Sequence, residues 1–558
     1  MNIAVQLRRR VLSIVSDYIA EHIVFRFVAA GECYNLPARS HTMIIIAVFV
    51  AGMTSLAVEL AAARLLGNVF GTANLVWANI IGLILLYLTA GYFIGGRWAD
   101  RSPHSRTYYQ LLCWAAFTVG LIPIVARPIL LWAASAVTTF DAPVAGGSFV
   151  ATLLLFCAPV TLLGCVSPFA IRLSTHNVHG LGSSAGRIYA ISTLGSLIGT
   201  FLPVLVLIPA IGTTRTYLFF AGVLLTVALV GLWRADRKRA LMYLWMPLLL
   251  AVFTLFSGSG PIKPPPAGWE LKHETESAYN FIQVVERPAD GTRYLLLNEG
   301  QGLHSYYNPN HLAANGTWDY FLAGPFFNAP PVLPADVKSL AIVGLAAGTI
   351  SKQYTAVFGP LPIDGIEIDP AIVEAGRRWF DMNEPNLNVI VEDGRWALAH
   401  SPNTYTVVAV DAYRLPYIPP QLTTVEFFSE ARAHLSETGV LVINVGRTPH
   451  DRRLIEAMAA TLHQVFPSVH VMDVPDTFNS IVVATVQPTP PENLAANLAR
   501  LPPDSHPLIR SVLQRGVNSL QPTVYGETVF TDDIAPVEQL TNSIVINFLL
   551  GEGLQFLK

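Results

Sequence analysis

Residues 338–369 read KSLAIVGLAAGTISKQYTAVFGPLPIDGIEID. The stretch predicts a buried strand, a helix that extends to about residue 358, and a second buried strand from Ile363. Apolar, β-branched runs separated by helices are typical of a parallel sheet covered on both faces. The pattern continues downstream, where it predicts helices at 370–380 and 424–436 and strands at 387–391, 405–411 and 439–445. The chain therefore contains a Rossmann-like α/β domain.

Ligands of such sheets bind beyond the carboxyl ends of the strands, so residues at those ends are the candidates for a site. The first strand is followed by the small-residue loop from Gly344 to Gly348. A loop of this kind lets a ligand approach the backbone at a helix start. Small residues there also serve strand–helix packing, and the sequence is compatible with both roles.

Acidic residues follow the next strands. Glu367 and Asp369 lie about 20 residues beyond the loop, where a carboxylate can accept both ribose hydroxyls. Asp369 is also placed to cap the helix that begins at Pro370, with Glu367 left to bind. Asp393 suits an adenine amino group or, alternatively, a helix cap. The fourth end carries Asp411, Tyr413 and Arg414, which could line a pocket beside the nucleoside.

A small β domain is predicted before the sheet. Residues 280–287 (NFIQVVER) and 293–298 (RYLLLN) flank Pro288-Ala-Asp-Gly291, a hairpin turn signal. Upstream, Gly and Ser give way to a proline run that stiffens the chain. We assign 258–270 to a linker, 271–330 to the small β domain and 331–558 to the α/β domain.

The N-terminal half is apolar. Hydrophobic residues make up 52% of the chain and charged residues 13%, about half of the usual charged share, which indicates a lipid environment. A spanning helix needs about 20 apolar residues. Seven candidate spans lie near 42–63, 74–96, 108–126, 148–171, 188–210, 214–233 and 240–257. Residues 41–257 are assigned to a multi-span α-helical membrane domain, and 1–40 to a cytoplasmic segment with an interfacial helix at 11–30.

Loop charges predict the orientation of these spans. Fourteen Lys and Arg residues lie in one alternating set of loops, and only Arg64, Arg127 and Arg215 lie in the other. The positive-inside rule places the first set in the cytoplasm. With seven spans, the chain is a multi-pass cell-membrane protein whose α/β domain faces outward. If the short seventh segment fails to cross, the domain is cytoplasmic.

Two features within the spans carry further predictions. Gly91 and Gly95, like Gly195 and Gly199, have the small-xxx-small spacing that lets helix backbones approach closely. Glu59 is a carboxylate within an apolar run, and such a charge is a functional candidate by default. The alternative is that Glu59 pairs with Arg64 or with a polar neighbour near the interface.

Composition also limits the partners. A net charge of −3 without a basic run gives no reason to expect nucleic acid. We interpret the cysteines as buried apolar residues, so neither a disulfide set nor a metal is expected. The expected partners are a small-molecule substrate and the lipid bilayer, with a homodimer as one option. The cysteines are Cys33, Cys113, Cys157 and Cys165.

The four strand ends in series resemble those of spermidine and spermine synthases, the polyamine aminopropyltransferases, over about residues 270–485. Residues 91–101 (GYFIGGRWADR) and 186–212 resemble the multi-span region of membrane-fused bacterial members. The resemblance implies a methyltransferase-type sheet and transfer of an aminopropyl group from decarboxylated S-adenosylmethionine. It implies that Glu367 holds the ribose and Asp393 the adenine, and that Asn280 lies near the substrate, where the family has Gln.

The sequence departs from the family pattern at several positions. Ala347 replaces the Asp of the family's GGGDG loop, and Arg414 replaces the second Asp of a pair whose first member is Asp411. In the family that second Asp orients and deprotonates the attacking amine. Arg414 would repel a diamine, and it suits a carboxylate or phosphate or, alternatively, braces Asp411 or Glu426.

Three functions are compatible with this pattern. The first is a membrane-bound transferase that moves an aminopropyl or other alkyl group from an adenosyl sulfonium donor to an amine, with Asp411 orienting the acceptor. The second is a membrane-bound methyltransferase that uses S-adenosylmethionine. The third is a diverged binding or sensing domain attached to a transport or signalling bundle that contains Glu59.

Overall fold

The computed structural model describes residues 38–70, 74–139, 144–175, 181–257, 265–298, 302–413 and 417–551. The predicted interfacial helix at 11–30, most of the linker, and Arg414 lie outside these ranges. The N-terminal helices are α1 (Ala38–Phe70), α2 (Asn74–Arg101), α3 (Ser105–Thr139), α4 (Val144–Gly164), α5 (Val166–Ser174), α6 (Leu181–Leu202), α7 (Ile208–Ala235), α8 (Arg237–Met242) and α9 (Trp245–Ser257).

The described helices include five apolar stretches long enough to cross a membrane, where the sequence predicted seven spans. The stretch Leu181–Ala235 contains two of the predicted spans, because a π-helical turn at Pro203–Leu207 and a non-helical Gly212 join them. The predicted span at 240–257 departs further from the prediction. Its helix, α9, has 13 residues and reaches about 20 Å, short of the roughly 30 Å apolar core of a bilayer.

Glycines set the helix packing, as their spacing predicted. A Cβ added at Gly195 or Gly199 would lie 2.0 Å from the carbonyl oxygen of Phe49 or Met53, so α6 packs against the α1 backbone. A Cβ at Gly91 would lie 2.4 Å from the Thr161 carbonyl oxygen, so α2 packs equally closely against α4. These approaches need residues without side chains.

The bundle has two chemically different ends. At the basic end, Arg106 lies 3.7 Å from Asp236, and Arg172 lies 3.2 Å from Asp100. The opposite, arginine-poor end includes Arg64 and Thr213. Asp236 lies at the basic end. Glu276, which follows later in the chain, lies at the arginine-poor end, where it accepts hydrogen bonds from Thr213. Asp236 and Glu276 therefore lie at opposite ends of the bundle, although α9, the described helix between them, is short.

The small β domain is an antiparallel sheet of β1 (Glu270–Glu276), β2 (Phe281–Arg287), β3 (Thr292–Leu297) and β4 (Leu303–Tyr307), in that order. β2 and β3 form the predicted hairpin, with Arg287 opposite Thr292. Ile282, Val284 and Leu295 are buried against Ala347 and Phe380 of the α/β domain. The small domain therefore covers the face next to the glycine loop.

The α/β domain contains an eight-stranded sheet in the order β12-β10-β11-β9-β8-β5-β6-β7. The strands from β9 to β7 are parallel, as predicted, whereas β10, β11 and β12 are antiparallel additions. The strands are β5 (Leu340–Val343), β6 (Ile363–Ile366), β7 (Leu387–Ile390), β8 (Tyr405–Val410), β9 (Leu435–Gly446), β10 (Ser468–Asp473), β11 (Asn479–Thr485) and β12 (Leu520–Gln521).

Helices cover both faces of this sheet, with one apolar core on each side. The predicted helices are found within three residues of their expected bounds, at 349–358, 370–379 and 425–433. The helices are α10 (Thr317–Tyr320), α11 (Thr349–Phe358), α12 (Pro370–Trp379), α13 (Gly394–Ala399), α14 (Val425–Ala433), α15 (Arg453–His463), α16 (Asn493–Arg500), α17 (Pro507–Asn518) and α18 (Val537–Gly551). Short 3₁₀ helices occupy Phe321–Phe327, Pro334–Asp336 and Pro420–Leu422.

Candidate active site

The four predicted strand ends are neighbours at one edge of the sheet. β7, β6, β5 and β8 lie side by side and run in the same direction. Backbone hydrogen bonds continue past the strands: Glu367 N–H donates to Ile390 O, and Asp411 N–H donates to Val343 O. The carboxyl ends of these strands therefore form one continuous edge, as expected from their order.

The loop after β5 depends on its glycines. Gly344 has φ +91°, and an added Cβ would lie 2.7 Å from backbone atoms of Ala412. Gly348 has φ +87° at the start of α11, where a Cβ would lie 2.5 Å from Met382 Cγ. Both positions need glycine because of conformation and packing. The packing role considered for this loop is thus present, and binding by Gly344 and Gly348 stays a prediction.

Glu367 lies at the centre of the edge and is 7% exposed. Its Oε2 accepts a hydrogen bond from Ala346 N–H (2.9 Å), and its Oε1 accepts one from Asp369 N–H (3.0 Å). Burial raises the pKa of Glu367 to about 7, against the lowering effect of these N–H donors. A carboxylate has about four lone-pair sites. Glu367 therefore keeps acceptor capacity for a diol while the glycine loop fixes its orientation.

Asp369 has a structural role, which was one of the two interpretations of this residue. Its Oδ1 accepts from Ala371 N–H (3.0 Å) and caps α12. Its Oδ2 accepts from Ser277 Oγ (2.5 Å) and from Asn280 Nδ2 (2.9 Å), and the side chain is fully buried. Asn280 in turn accepts from Asn298 Nδ2 (2.9 Å). Asn280, predicted near the substrate, thus joins the small β domain to Asp369.

Asp393 also caps a helix. Its Oδ1 accepts from Arg395 N–H (3.1 Å) and from Trp396 N–H (3.0 Å) at the start of α13. Both hydrogen bonds use the same oxygen, and the side chain is half-buried beyond the end of β7. The capping alternative is therefore present, and contact of Asp393 with an adenine stays a prediction.

Asp411 anchors the other half of the edge. Its Oδ1 accepts from Asn444 Nδ2 (3.0 Å), and Asn444 Oδ1 accepts from Asn479 Nδ2 (2.8 Å). Tyr413 Oη donates to the Asn444 carbonyl oxygen (3.1 Å). Burial raises the pKa of Asp411 to about 7, opposed by hydrogen bonds from the side chains of Asn444 and Trp318. A carboxyl group that ionises near neutrality suits proton transfer.

Three residues of the network around Asp411 were not predicted from the sequence as site residues. Asn444 lies at the end of β9, within the run GVLVINV, and a polar residue at a fifth strand end was a signal that could have been used. Asn479 begins the antiparallel β11, which was not predicted. The contact of Trp318 with Asp411 depends on the folded chain, and no local pattern at residue 318 indicates it.

Two further residues, Ala347 and Asp319, have structural surroundings. Ala347, which stands where the family has Asp, is 2% exposed and lies in the apolar cluster with Ile282 and Phe380. Asp319 is fully buried and bonds to Arg515 (2.8 Å), so it has a structural role.

Glu59 is half-buried in α1, about 7.5 Å along the helix from Arg64. Arg64, its proposed partner, donates to the carbonyl oxygens of Ser277 and Tyr279. The role of Glu59 stays a prediction. The described ranges contain no cluster of three His, Cys, Asp or Glu residues that could hold a metal ion.

Comparisons with known proteins find relatives of the C-terminal region. Residues 352–494 match the family described as "Spermine/spermidine synthase domain". The chain is 34% identical over 219 residues to the "Probable polyamine aminopropyl transferase" of Bifidobacterium longum, which covers 38% of this chain and 47% of that protein. It is 28% identical over 235 residues to the "Polyamine aminopropyltransferase" of Vibrio vulnificus, which covers 40% of this chain and 74% of that protein.

More distant relatives extend the comparison. The mouse "eEF1A lysine and N-terminal methyltransferase" is 26% identical over 232 residues, covering 39% of this chain and 32% of that protein. Among solved structures, a probable spermidine synthase from Corynebacterium glutamicum is 20% identical with a TM-score of 0.36, covering 48% of this chain and 98% of that one. The chain spans about half the length of the Bifidobacterium relative. The C-terminal region of the chain carries a spermine/spermidine synthase domain.

Proposed function

We propose that the α/β domain is a transferase of the aminopropyltransferase-like class that uses an adenosyl sulfonium donor. The observation that carries the proposal is the placement of Glu367 and Asp411 at the ends of β6 and β8, on either side of the β5 glycine loop. A buried carboxylate with spare acceptor capacity suits the ribose, and a carboxyl group with a pKa of about 7 suits the acceptor amine.

The proposed reaction is a displacement at carbon. The amine nitrogen attacks the carbon attached to the sulfonium, a new C–N bond forms, and the C–S bond breaks. Its electron pair returns to sulfur and leaves a neutral thioether. The nitrogen loses its extra proton to the Asp411 carboxylate. Such a transfer requires mainly alignment of nucleophile and carbon, which the shared sheet edge would provide.

The part of the site around Asp411, which we name the acceptor half, has fewer carboxylates than binding of a diamine would require. Asp411 is held by the amide of Asn444, and Arg414 follows three residues later in the sequence. The resemblance to the family implies that Arg414 lies at the acceptor position, where a guanidinium would repel a second ammonium group and attract a carboxylate or phosphate. The sequence at this strand end therefore supports an acceptor with one amine, and an anionic group is the favoured second feature of that acceptor.

Methyl transfer from S-adenosylmethionine is the second candidate. A single carboxylate suffices to accept the proton from one amine, and the similarity to a lysine methyltransferase supports this option. The donor distinguishes the two reactions, because the decarboxylated compound delivers an aminopropyl group and the intact compound delivers a methyl group.

We also propose a multi-pass membrane location, with the α/β domain on the extracytoplasmic side. The five apolar stretches support membrane insertion. The small β domain, which precedes the α/β domain in the chain, contacts Arg64 and Thr213 at the arginine-poor end of the bundle, and the positive-inside rule assigns that end outward. A reporter fused to the C-terminus tests the side, and activity of a reporter that works only in the cytoplasm would contradict this assignment.

Donor binding is the direct test of the function. The full-length protein in detergent is titrated calorimetrically with S-adenosylmethionine, its decarboxylated form and methylthioadenosine. We expect binding of at least one donor and weaker binding to Glu367→Gln. Glu437→Gln, an exposed carboxylate outside the site, serves as the control. Absence of binding by all three compounds would overturn the proposal.

A further inference from the structure

A tight turn at residues 276–280, which we name the docking turn, lies between the bundle and the sheet edge. It joins β1 to β2 and is closed by the hydrogen bond from Ser277 N–H to Asn280 O (2.9 Å). Ser277 Oγ also accepts from Tyr279 N–H (3.0 Å) and Asn280 N–H (2.8 Å). One serine hydroxyl thus organises the backbone of the whole turn.

The bundle holds the docking turn from one side. Arg64 of α1 donates from two different guanidinium nitrogens to the carbonyl oxygens of Ser277 and Tyr279. Glu276 Oε2 accepts from both the N–H and the hydroxyl of Thr213 (2.7 Å each), beside the non-helical Gly212. The carboxylate therefore lies at the N-terminus of the helical segment that follows Gly212, where negative charge is favoured.

The sheet edge holds the same turn from the other side. Ser277 Oγ donates to Asp369 Oδ2, and Asn280 Nδ2 donates to the same oxygen. Asp369 N–H donates to Glu367 Oε1, and Glu367 Oε2 is held by the glycine loop. An unbroken path of hydrogen bonds therefore runs from a guanidinium in an apolar helix to the carboxylate proposed to bind the donor ribose.

We propose that Arg64 is a positioning residue for the donor site, acting through the docking turn on Asp369 and Glu367. This inference rests on the proposed function. A guanidinium presents several donors in a rigid fork, so it fixes two carbonyl oxygens at once. By holding the turn, Arg64 fixes where Ser277 and Asn280 approach Asp369, and so where the Asp369 N–H places Glu367. The membrane half is then part of the donor site.

The competing explanation is that Arg64 only fastens two domains together. Fastening alone predicts a lower stability with an unchanged affinity for the donor. Positioning predicts a weaker donor affinity under conditions in which the protein is fully folded. It also predicts that the effect of Arg64 depends on the Ser277 hydroxyl, through which one of the two links to Asp369 passes.

The test uses the full-length protein in detergent, titrated with whichever donor the wild type binds. Arg64→Ala should weaken donor binding at least about fivefold, the lower end of typical coupling between sites. Arg64→Lys, which keeps the charge and one donor group, should restore part of the affinity. Arg127→Ala removes an exposed arginine from the same end of the bundle and should leave the affinity unchanged.

A double-mutant cycle with Ser277→Ala locates the path. If Arg64 acts through the docking turn, Arg64→Ala should have a smaller effect in the Ser277→Ala background, because one link to Asp369 is already lost. Wild-type donor affinity in a folded Arg64→Ala protein would overturn the inference, and so would strictly multiplicative effects in the cycle. Failure of the wild type itself to bind any donor would instead overturn the proposed function.

Discussion

The donor half and the acceptor half of the candidate site are built in different ways. In the donor half, Glu367, Asp369 and Asp393 all accept hydrogen bonds from backbone N–H groups, most of them within three residues of the carboxylate. In the acceptor half, Asp411 is held by the side chains of Asn444 and Trp318, which come from distant segments. The main chain holds the carboxylates of the donor half, with side chains from the docking turn added at Asp369, whereas side chains brought together by folding hold Asp411.

The difference has a consequence for mutations. Backbone N–H donors survive most side-chain changes, so the donor half should tolerate substitutions around Glu367 and Asp393, and its sensitive point is the docking turn, whose side chains hold Asp369. A network of side chains has no such protection, because loss of one member leaves its partners unsatisfied. We therefore expect the largest functional losses in the acceptor half and graded effects in the donor half.

The largest expected effect is that of Asp411→Asn. The amide keeps the shape and can still accept from Asn444, but it cannot take a proton from the acceptor amine. Turnover should fall about 10²–10⁴-fold, the usual contribution of a general base, with donor affinity nearly unchanged. Product formation under single-turnover conditions and calorimetric titration measure the two quantities.

A second variant in the acceptor half shows whether the carboxylate itself or its orientation matters more. Asn444→Ala, which removes the orienting amide and keeps the carboxylate, should lower turnover less than Asp411→Asn does. If Asp411→Asn retained turnover within tenfold of the wild type, Asp411 would not be the base, and the acceptor half would lose its proposed role.

Ala347→Asp is expected to have the next largest effect. The family has Asp at this position, but here Ala347 is buried in an apolar cluster with Ile282 and Phe380. An unpaired carboxylate there should destabilise the protein by roughly 3 kcal/mol or more. Thermal unfolding in detergent should show a lower melting temperature, whereas the exposed Ala495→Asp should change it little. A gain in turnover without loss of stability would contradict this expectation.

This contrast explains what the sequence could and could not predict. Glu367, Asp393 and Asp411 follow apolar runs directly, so strand ends and helix caps place them from local pattern alone. The network around Asp411 depends on Asn479 of an antiparallel strand and on Trp318, which lies 93 residues before Asp411 in the printed sequence. Nothing in the local pattern at either residue indicates that contact.

The helical bundle shows the same difference between what local pattern predicts and what depends on the folded chain. Hydropathy predicted where apolar helices lie, and glycine spacing predicted which surfaces pack. These patterns also separated two spans at residues 211–213, where Gly212 is non-helical, but they did not predict that α9 would have only 13 residues. Nor could they predict the docking turn, because Arg64 and Ser277 meet only after the bundle and the small β domain have both formed.

Donor affinity should depend on pH through Glu367. Because burial raises its pKa to about 7, the folded protein favours the protonated carboxyl, and the associated stability is lost as the pH rises through about 7. Donor hydroxyls and the sulfonium charge favour the ionised form. Binding should therefore weaken as the pH falls, by about tenfold between pH 8 and pH 6.

Two variants separate this effect from titration of Asp411, whose pKa is also about 7. Glu367→Gln should bind more weakly at pH 8 and lose most of the pH dependence. Asp411→Asn should keep it. The same profile in the wild type and in Glu367→Gln would show that another group controls binding, and the donor half would then need a different ribose-binding residue.

The smallest expected effect is that of Ala346→Gly, which restores the family's glycine beside Ala347. Ala346 has φ +48°, a left-handed conformation that costs an alanine about 1 kcal/mol. Glycine removes that cost but gives the unfolded chain more freedom, which costs about 0.4–1 kcal/mol. The two terms nearly cancel, so stability should change by less than about 0.5 kcal/mol. Because the Ala346 N–H that holds Glu367 belongs to the backbone, donor affinity should also be unchanged. A large loss of affinity in this variant would mean that the alanine methyl group contacts the donor, and that the backbone N–H is not all that residue 346 contributes to the donor half.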